Sequence, residues 1–309
     1  MAELRMDFLT KEWVAISAER GKRPFNFTGA AAQPAETGRC PFCPENADLR
    51  AHEQKGRGAV TFLPNLYPAL DPHSESGFGY HEIIVDTPIH NIPLHALPAA
   101  AFFDTLATLK DRVAFYERDE RVRYIQVFKN NGCRAGASIP HAHWQLVAMP
   151  FVPERVRVML ASFDEYRARN GGCCLCAPPA RELLVRENAG ASASVPYAAL
   201  FPYSMNITPK RHISSIADAD EAMLRDAAAL LKTSLTALRA KNIADFNILL
   251  FNAPARGGSA NWHFFFQIVP KLGSPAGFEL STYSYMSSVL PEDAARELRE
   301  VLPNDILIT

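Results

Sequence analysis

Apolar positions recur along the chain with two periods. Over residues 97–118 they follow the 3.6-residue spacing of an amphipathic helix, and the same spacing returns over 218–241. Residues 154–169 form a third helical pattern, stopped by Gly171 and Gly172, which predict a helix end and a junction. Short β-rich runs predict strands over 13–16, 81–85, 124–128, 143–149, 246–251 and 262–269. Residues 4–27 read as extended segments around a turn, and 28–37 as a loop rich in Ala, Gly and Pro.

The order of elements repeats. Each half has a Cys-x-x-Cys, short strands, a long helical stretch and two further strands. An offset of 122 residues carries His90 to His212, His141 to His263, Lys110 to Lys232 and Asn130 to Asn252. Four matches in one register, joining equivalent elements, point to a duplication. The Cys pairs are displaced by 133, which places an insertion between each pair and its helix. The expected domains are 1–170 and 171–309.

The 309 residues are 48% hydrophobic and 21% charged, as in an ordinary globular protein long enough for two domains. Lys plus Arg number 32 against 33 for Asp plus Glu, so nucleic acid binding through phosphate neutralisation is not expected. No apolar run reaches about 18 residues, and the charged start lacks the apolar region of a signal peptide. A soluble cytoplasmic protein, neither membrane-bound nor disulfide-linked, is therefore expected.

Four of the six cysteines form the pairs Cys40 with Cys43 and Cys173 with Cys176. A Cys-x-x-Cys turn supplies two thiolates of a tetrahedral zinc site, and the repeat supplies two histidines for each. Cys40, Cys43, His90 and His141 would hold one zinc, and Cys173, Cys176, His212 and His263 a second. A rival arrangement puts the four cysteines around one shared zinc, and a plainer one leaves them as core residues. Cys133 and Cys174 read as buried thiols without a matched partner.

The most informative segment runs from Asn130 to Gln145, Asn-Asn-Gly-Cys-Arg-Ala-Gly-Ala-Ser-Ile-Pro-His-Ala-His-Trp-Gln. On a strand His141, His143 and Gln145 would share one face. The small Gly136, Ala137 and Ser138 would let backbone amides approach a phosphate. A neutral imidazole at His143 is a nucleophile for phosphorus, and the Gln145 amide can donate to a phosphate oxygen. The blander reading of His-x-His is two metal ligands or a surface pair. Against it, the offset carries His143 to Phe265 and Gln145 to Gln267, so His143 is the extra residue of an active first half.

Cys40-Pro-Phe-Cys-Pro-Glu-Asn, Asn65-Leu-Tyr-Pro-Ala-Leu, Gly136-Ala-Ser and His141-Ala-His-Trp-Gln resemble the galactose-1-phosphate uridylyltransferases, the transferase branch of the histidine-triad superfamily. Cys173-Cys-Leu-Cys, Pro209-Lys-Arg-His, His263 with Gln267-Ile-Val-Pro, Gly277-Phe-Glu and Pro291-Glu-Asp are more similar to the plant-type ADP-glucose phosphorylases of that family. The resemblance covers nearly the whole chain. It implies an α+β fold of two tandem histidine-triad-like domains, antiparallel sheets with packed helices. It also implies transfer of a nucleotidyl group from a nucleotide sugar, UDP- or ADP-glucose, onto His143 and then onto a hexose 1-phosphate or phosphate.

By the same resemblance Asn65 would help hold the nucleoside, while Asn130, Gly136, Ala137, Ser138 and Gln145 would surround the phosphates. Arg20, Lys22 and Arg23 would form a basic loop, and Gly277, Phe278 and Glu279 would meet the sugar phosphate. The family makes a homodimer the expected assembly. Ala142 and Trp144 stand where uridylyltransferases usually carry Pro and Gly, a departure that bears on galactose specificity. Two other readings are a histidine-triad hydrolase, which would carry a third histidine at Gln145, and a non-catalytic nucleotide-sugar sensor, which would not need His143.

Overall fold

The structure is a computed structural model that describes residues 2–17, 19, 39–50, 52–257 and 260–303. The chain begins with β1 (Glu3–Met6), β2 (Trp13–Ile16), β3 (Gln54–Lys55), β4 (Thr61–Pro64) and β5 (Tyr80–Val85). Next come α1 (Ala99–Tyr116), β6 (Tyr124–Asn131), β7 (His143–Met149) and α2 (Glu154–Asn170). The second half holds β8 (Leu184–Glu187), β9 (Ala191–Ser194), β10 (Met205–Pro209), α3 (Glu221–Ala240), β11 (Phe246–Phe251) and β12 (Phe265–Pro270). It closes with α4 (Gly277–Thr282), β13 (Tyr285–Ser287) and α5 (Pro291–Glu300).

Among the described residues ten strands form one sheet in the order β3-β4-β5-β7-β6-β11-β12-β10-β9-β8. Every neighbouring pair in it is antiparallel. The order reads alike outward from the β6–β11 seam, so β7 and β12 are counterparts. A small sheet, β1-β2-β13, departs from the antiparallel expectation, because β13 runs parallel to β2. No helix among the described residues is long and apolar enough to cross a membrane.

Side-chain alternation assigns the two faces of the sheet. Val127, Trp144, Leu146, Ile248 and Phe266 face α1 and α3, joining Leu106, Leu109 and Val113 with Leu230, Leu231, Leu235 and Leu238 in the main core. On α1 the buried Phe102, Leu106, Leu109 and Val113 are spaced by three or four, which is why this stretch is helical and turns that stripe inward. The Asp220 carboxylate caps α3 by accepting from the Met223 backbone N–H at 2.9 Å. Gly171, with φ of 73°, ends α2 in the left-handed conformation a C-terminal cap favours.

The two helices are latched reciprocally. Lys110 of α1 donates its Nζ–H to the Ala219 carbonyl just before α3, and Lys232 of α3 donates to the Leu97 carbonyl just before α1, at 2.7 Å. Both pairs lie on the 122-residue offset read from the sequence.

On the opposite face α2 covers the second half, packing Val156, Met159 and Phe163 on Tyr124, Phe251, Trp262 and Phe265. Over the first half sits a smaller cluster of Phe42, Leu63, Ile83 and Val85. The nucleophile candidate lies on this face.

Two strand boundaries differ by three residues from the sequence reading, and the long helices are trimmed to 99–116 and 221–240. β6 runs three residues further, to Asn131, because Lys129, Asn130 and Asn131 pair with Ile248, Asn247 and Phe246 across the central seam. β12 begins at Phe265 instead of residue 262, since the ladder with β11 ends at the Phe251–Phe265 pair and the Phe264 N–H donates to the Ile213 carbonyl at 2.9 Å.

Candidate active site and metal centres

Each Cys-x-x-Cys closes a tight turn whose two sulfurs face two histidines. In the first quartet His141 Nδ1 stands 3.6 Å from both Cys40 Sγ and Cys43 Sγ, and His90 Nδ1 3.3 Å from Cys43 Sγ. In the second, His263 Nδ1 lies 3.4 Å from Cys173 Sγ and 3.5 Å from Cys176 Sγ, and His212 Nδ1 is 3.4 Å from Cys176 Sγ. All four ligand atoms of each quartet fall within 4.8 Å of one another, so both groups fit a metal ion. The shared four-cysteine arrangement is thereby overturned, because each pair is grouped with its own histidines.

The backbone prepares the rings for that role. His141 donates from Nε2 to the Thr87 carbonyl at 2.7 Å, and His212 donates likewise to Ala260 at 2.8 Å. A carbonyl only accepts, so the proton sits on Nε2 and the Nδ1 lone pair turns toward the sulfurs. Cys133 and Cys174 are only half-buried, which corrects the reading of them as buried thiols.

His143 is oriented the opposite way. Its Nδ1 donates to the His141 carbonyl at 2.7 Å, which leaves the Nε2 lone pair as the nucleophilic end. The ring is 6% exposed, and burial pushes its pKa down to about 4, so the imidazole is neutral near pH 7. Phe42, carried between Cys40 and Cys43, lies 4.9 Å from the His143 ring centre to centre. The first metal turn is thus packed directly against the nucleophile candidate.

His141 precedes β7, so the expected row of three side chains on one strand holds only for His143 and Gln145. The third member comes from the neighbouring strand. His81 accepts from the Ala69 backbone N–H at Nδ1 (3.1 Å), so its Nε2–H donates to Gln145 Oε1 at 3.0 Å. That contact leaves the Gln145 amide nitrogen as the donor end for an anion. Asn65 joins the group, its Nδ2 lying 3.1 Å from His81 Nε2 while its Oδ1 accepts from the Tyr67 N–H. The sequence reading passed over His81; its signal was a histidine alternating with Ile83 and Val85 on the His143 face.

Lys129 and Asp86 were missed as well. Lys129 occupies the helix-facing position after Ile125 and Val127, and its Nζ pairs with Asp86 Oδ2 at 2.6 Å with both side chains buried. The same ammonium donates to the His143 carbonyl at 3.1 Å. Asp86 Oδ1 accepts from Trp144 Nε1 at 2.9 Å and from Thr105 Oγ1 at 3.1 Å. A charged residue at an inward strand position is the signal that could have found the pair.

Asn130 sits at the seam, accepting from Asn247 Nδ2 at 2.8 Å and donating to the Gly136 carbonyl at 3.4 Å. Gly136 takes φ of 83°, a turn conformation that suits glycine, with the half-buried Ala137 and exposed Ser138 following it. Gly277, Phe278 and Glu279 are not drawn into this group. They lie on α4, which packs on β13, and the Glu279 carboxylate accepts from the Ala276 N–H at 2.9 Å. Arg20, Lys22 and Arg23 fall outside the described residues.

The family model for galactose-1-phosphate uridyl transferase, N-terminal domain, matches residues 1–153. An ADP-glucose phosphorylase of Arabidopsis thaliana is 33% identical, over 97% of this chain and 93% of its own. A galactose-1-phosphate uridylyltransferase of Thermotoga maritima is 32% identical, over 97% and 98%. Among solved structures, the Arabidopsis ADP-glucose phosphorylase with bound ADP-glucose superimposes with a TM-score of 0.89 at 32% identity, covering 97% of this chain and 99% of that one. A uridylyltransferase structure gives 0.78 at 28% identity, covering 97% and 98%.

Proposed function

The chain belongs to the galactose-1-phosphate uridylyltransferase family, and from that membership we propose a nucleotidyltransferase whose first half, 1–170, is catalytic and whose second, 171–309, lacks the nucleophile. His143 Nε2 attacks the α-phosphorus of a nucleotide sugar. The bond to the bridging oxygen breaks, and the sugar 1-phosphate leaves with that oxygen. A phosphate oxygen of the acceptor then attacks the same phosphorus and displaces His143.

The observation that carries this reading is the Nδ1–H of His143 held on the His141 carbonyl, with Nε2 left to accept on the strand face that also carries Gln145. As the P–N bond forms, that carbonyl stabilises the charge arriving on the ring. A sugar phosphate leaves as an anion without needing a proton, so an amide at position 145 serves where hydrolysis would favour an acid. Gln145, oriented by His81, would donate to a phosphate oxygen, with Asn130 and the amides of Gly136, Ala137 and Ser138 beside it. Asn65 would hold the nucleoside.

The greater structural similarity to the ADP-glucose phosphorylase favours phosphate as acceptor and ADP-glucose as donor. Transfer between UDP-glucose and a hexose 1-phosphate is the second reading, supported by the Thermotoga relative. Mixed with ADP-glucose or UDP-glucose and no acceptor, the protein is expected to gain an acid-labile AMP or UMP mass by intact mass spectrometry. No gain with either would overturn the covalent mechanism. Release of the adduct by phosphate or by galactose 1-phosphate then identifies the acceptor.

Zinc is our proposal for both metal sites. Zn–S near 2.3 Å and Zn–N near 2.0 Å at tetrahedral angles give a sulfur–nitrogen edge of about 3.5 Å, against 3.3 to 3.6 Å here. Elemental analysis is expected to find two zinc atoms per chain. Cys43 is buried and Cys176 exposed, so a chelator should strip the second site first. Through Phe42, Cys43→Ser should also lower turnover by about 10- to 100-fold, more than Cys173→Ser. Equal losses in the two variants would dissociate the first metal from the positioning of His143.

A homodimer is the assembly we propose, since Phe278 and Leu280 of α4 and the following Tyr283 are exposed. Contact of Gly277, Phe278 and Glu279 with a sugar phosphate would then involve the α4 of a second copy.

A further inference from the structure

We infer that a cavity behind the loop 132–140, on the helix side of the sheet, binds a small phosphate-bearing molecule at a site separate from His143. The cavity is about 570 Å³ and lies between that loop, residues 91–95 and the end of α3. Its volume is within the usual range for small-molecule sites, roughly 300–1,000 Å³. Asn131 lines it, whereas Asn130, on the other side of the same strand, belongs to the His143 face.

Two guanidiniums mark the wall. Arg134 and Arg239 face it beside the imidazole of His95, and Asp245 is the acidic residue among its lining. Arg134 stands 3.9 Å from that carboxylate, and Arg239 makes no ion pair among the described residues. Burial pushes the pKa of His95 down, and the nearby charges of Arg239 and Lys232 add to the effect. Two guanidiniums set against one carboxylate leave a net positive charge that favours an anion, and the planar guanidinium suits phosphate. Leu94, Ile243 and Phe246 give an apolar floor for the carbon part of an ester.

The loop is keyed to this wall. Gly132 has φ of 86°, and a Cβ there would collide with the Asp245 carboxylate. An anion that draws Arg134 away from Asp245 therefore acts on the segment leading to Gly136 and Ser138.

Cys133 lines the cavity and supplies a local readout. Alkylation of Cys133 by iodoacetamide, followed peptide by peptide, is measured with glucose 6-phosphate or with inorganic phosphate in wild type, His143→Ala and Arg239→Ala. At four times the dissociation constant the ester should slow the reaction about fivefold in wild type and in His143→Ala. Arg239→Ala should lose that protection while keeping its turnover in the absence of the ester. Greater protection by the ester identifies it as the occupant, and equal protection by phosphate identifies the free ion. Unchanged alkylation in wild type, or equal protection in Arg239→Ala, overturns the site.

Discussion

Alanine in place of His143 is expected to abolish the nucleotidyl adduct and to lower turnover by at least about 10⁴-fold, or about 5.5 kcal/mol. The size follows from the absence of a substitute. On the His143 face of β7 the next side chain is Gln145, an amide without nucleophilic nitrogen. His81 is occupied at Nδ1 by the Ala69 amide and at Nε2 by Gln145. His141 gives its Nδ1 to the metal quartet. Counterpart position 265 holds Phe under α2, so the second half has no reserve nucleophile. Intact mass and turnover, with a thermal melt to verify folding, provide the check. Adduct formation on the alanine variant, or turnover within tenfold of wild type, would remove His143 from the chemistry.

Lys129→Met is expected to destabilise the protein by about 3–5 kcal/mol, because it leaves the Asp86 carboxylate buried without its cation. In a chain of this size that lowers Tm by roughly 5–8 °C. Turnover should fall too, since the Lys129 ammonium also holds the His143 carbonyl. Adding Asp86→Asn should restore part of the stability. The neutral amide keeps an acceptor for Trp144 Nε1 and Thr105 Oγ1, and the uncompensated charge is gone. Asp86→Leu in the same background should restore less, because those two donors would lose their partner. Melting curves of the four proteins decide it; a single variant as stable as wild type would show that the pair contributes nothing net.

Long periodic elements were legible in the sequence because their signals are local. The stripe that makes α1 helical lies within its own turns, and β7 and β11 alternate over enough residues to fix their bounds. The two quartets were legible because Cys-x-x-Cys spacing and a repeated histidine offset survive without coordinates. What escaped depends on pairing between distant segments. β6 extends to Asn131 only because β11 lies beside it. His81 gains significance only when β5 sets it against Gln145, and Lys129 only when Asp86 comes to meet it. The short β3, β4 and β8 carry too few residues to show a period.

The reciprocal latch between Lys110 and Lys232 bears on how the two halves persist together. Each helix holds the backbone at the start of the other, and the central seam makes β6 and β11 a single ladder. Unfolding one half would strip the other of a sheet neighbour and a buried helix face together, which makes the pair one cooperative folding unit. With His143 as the proposed nucleophile and Phe265 at the matching position, the second half serves the chemistry through the stability it lends to the strand that carries His143.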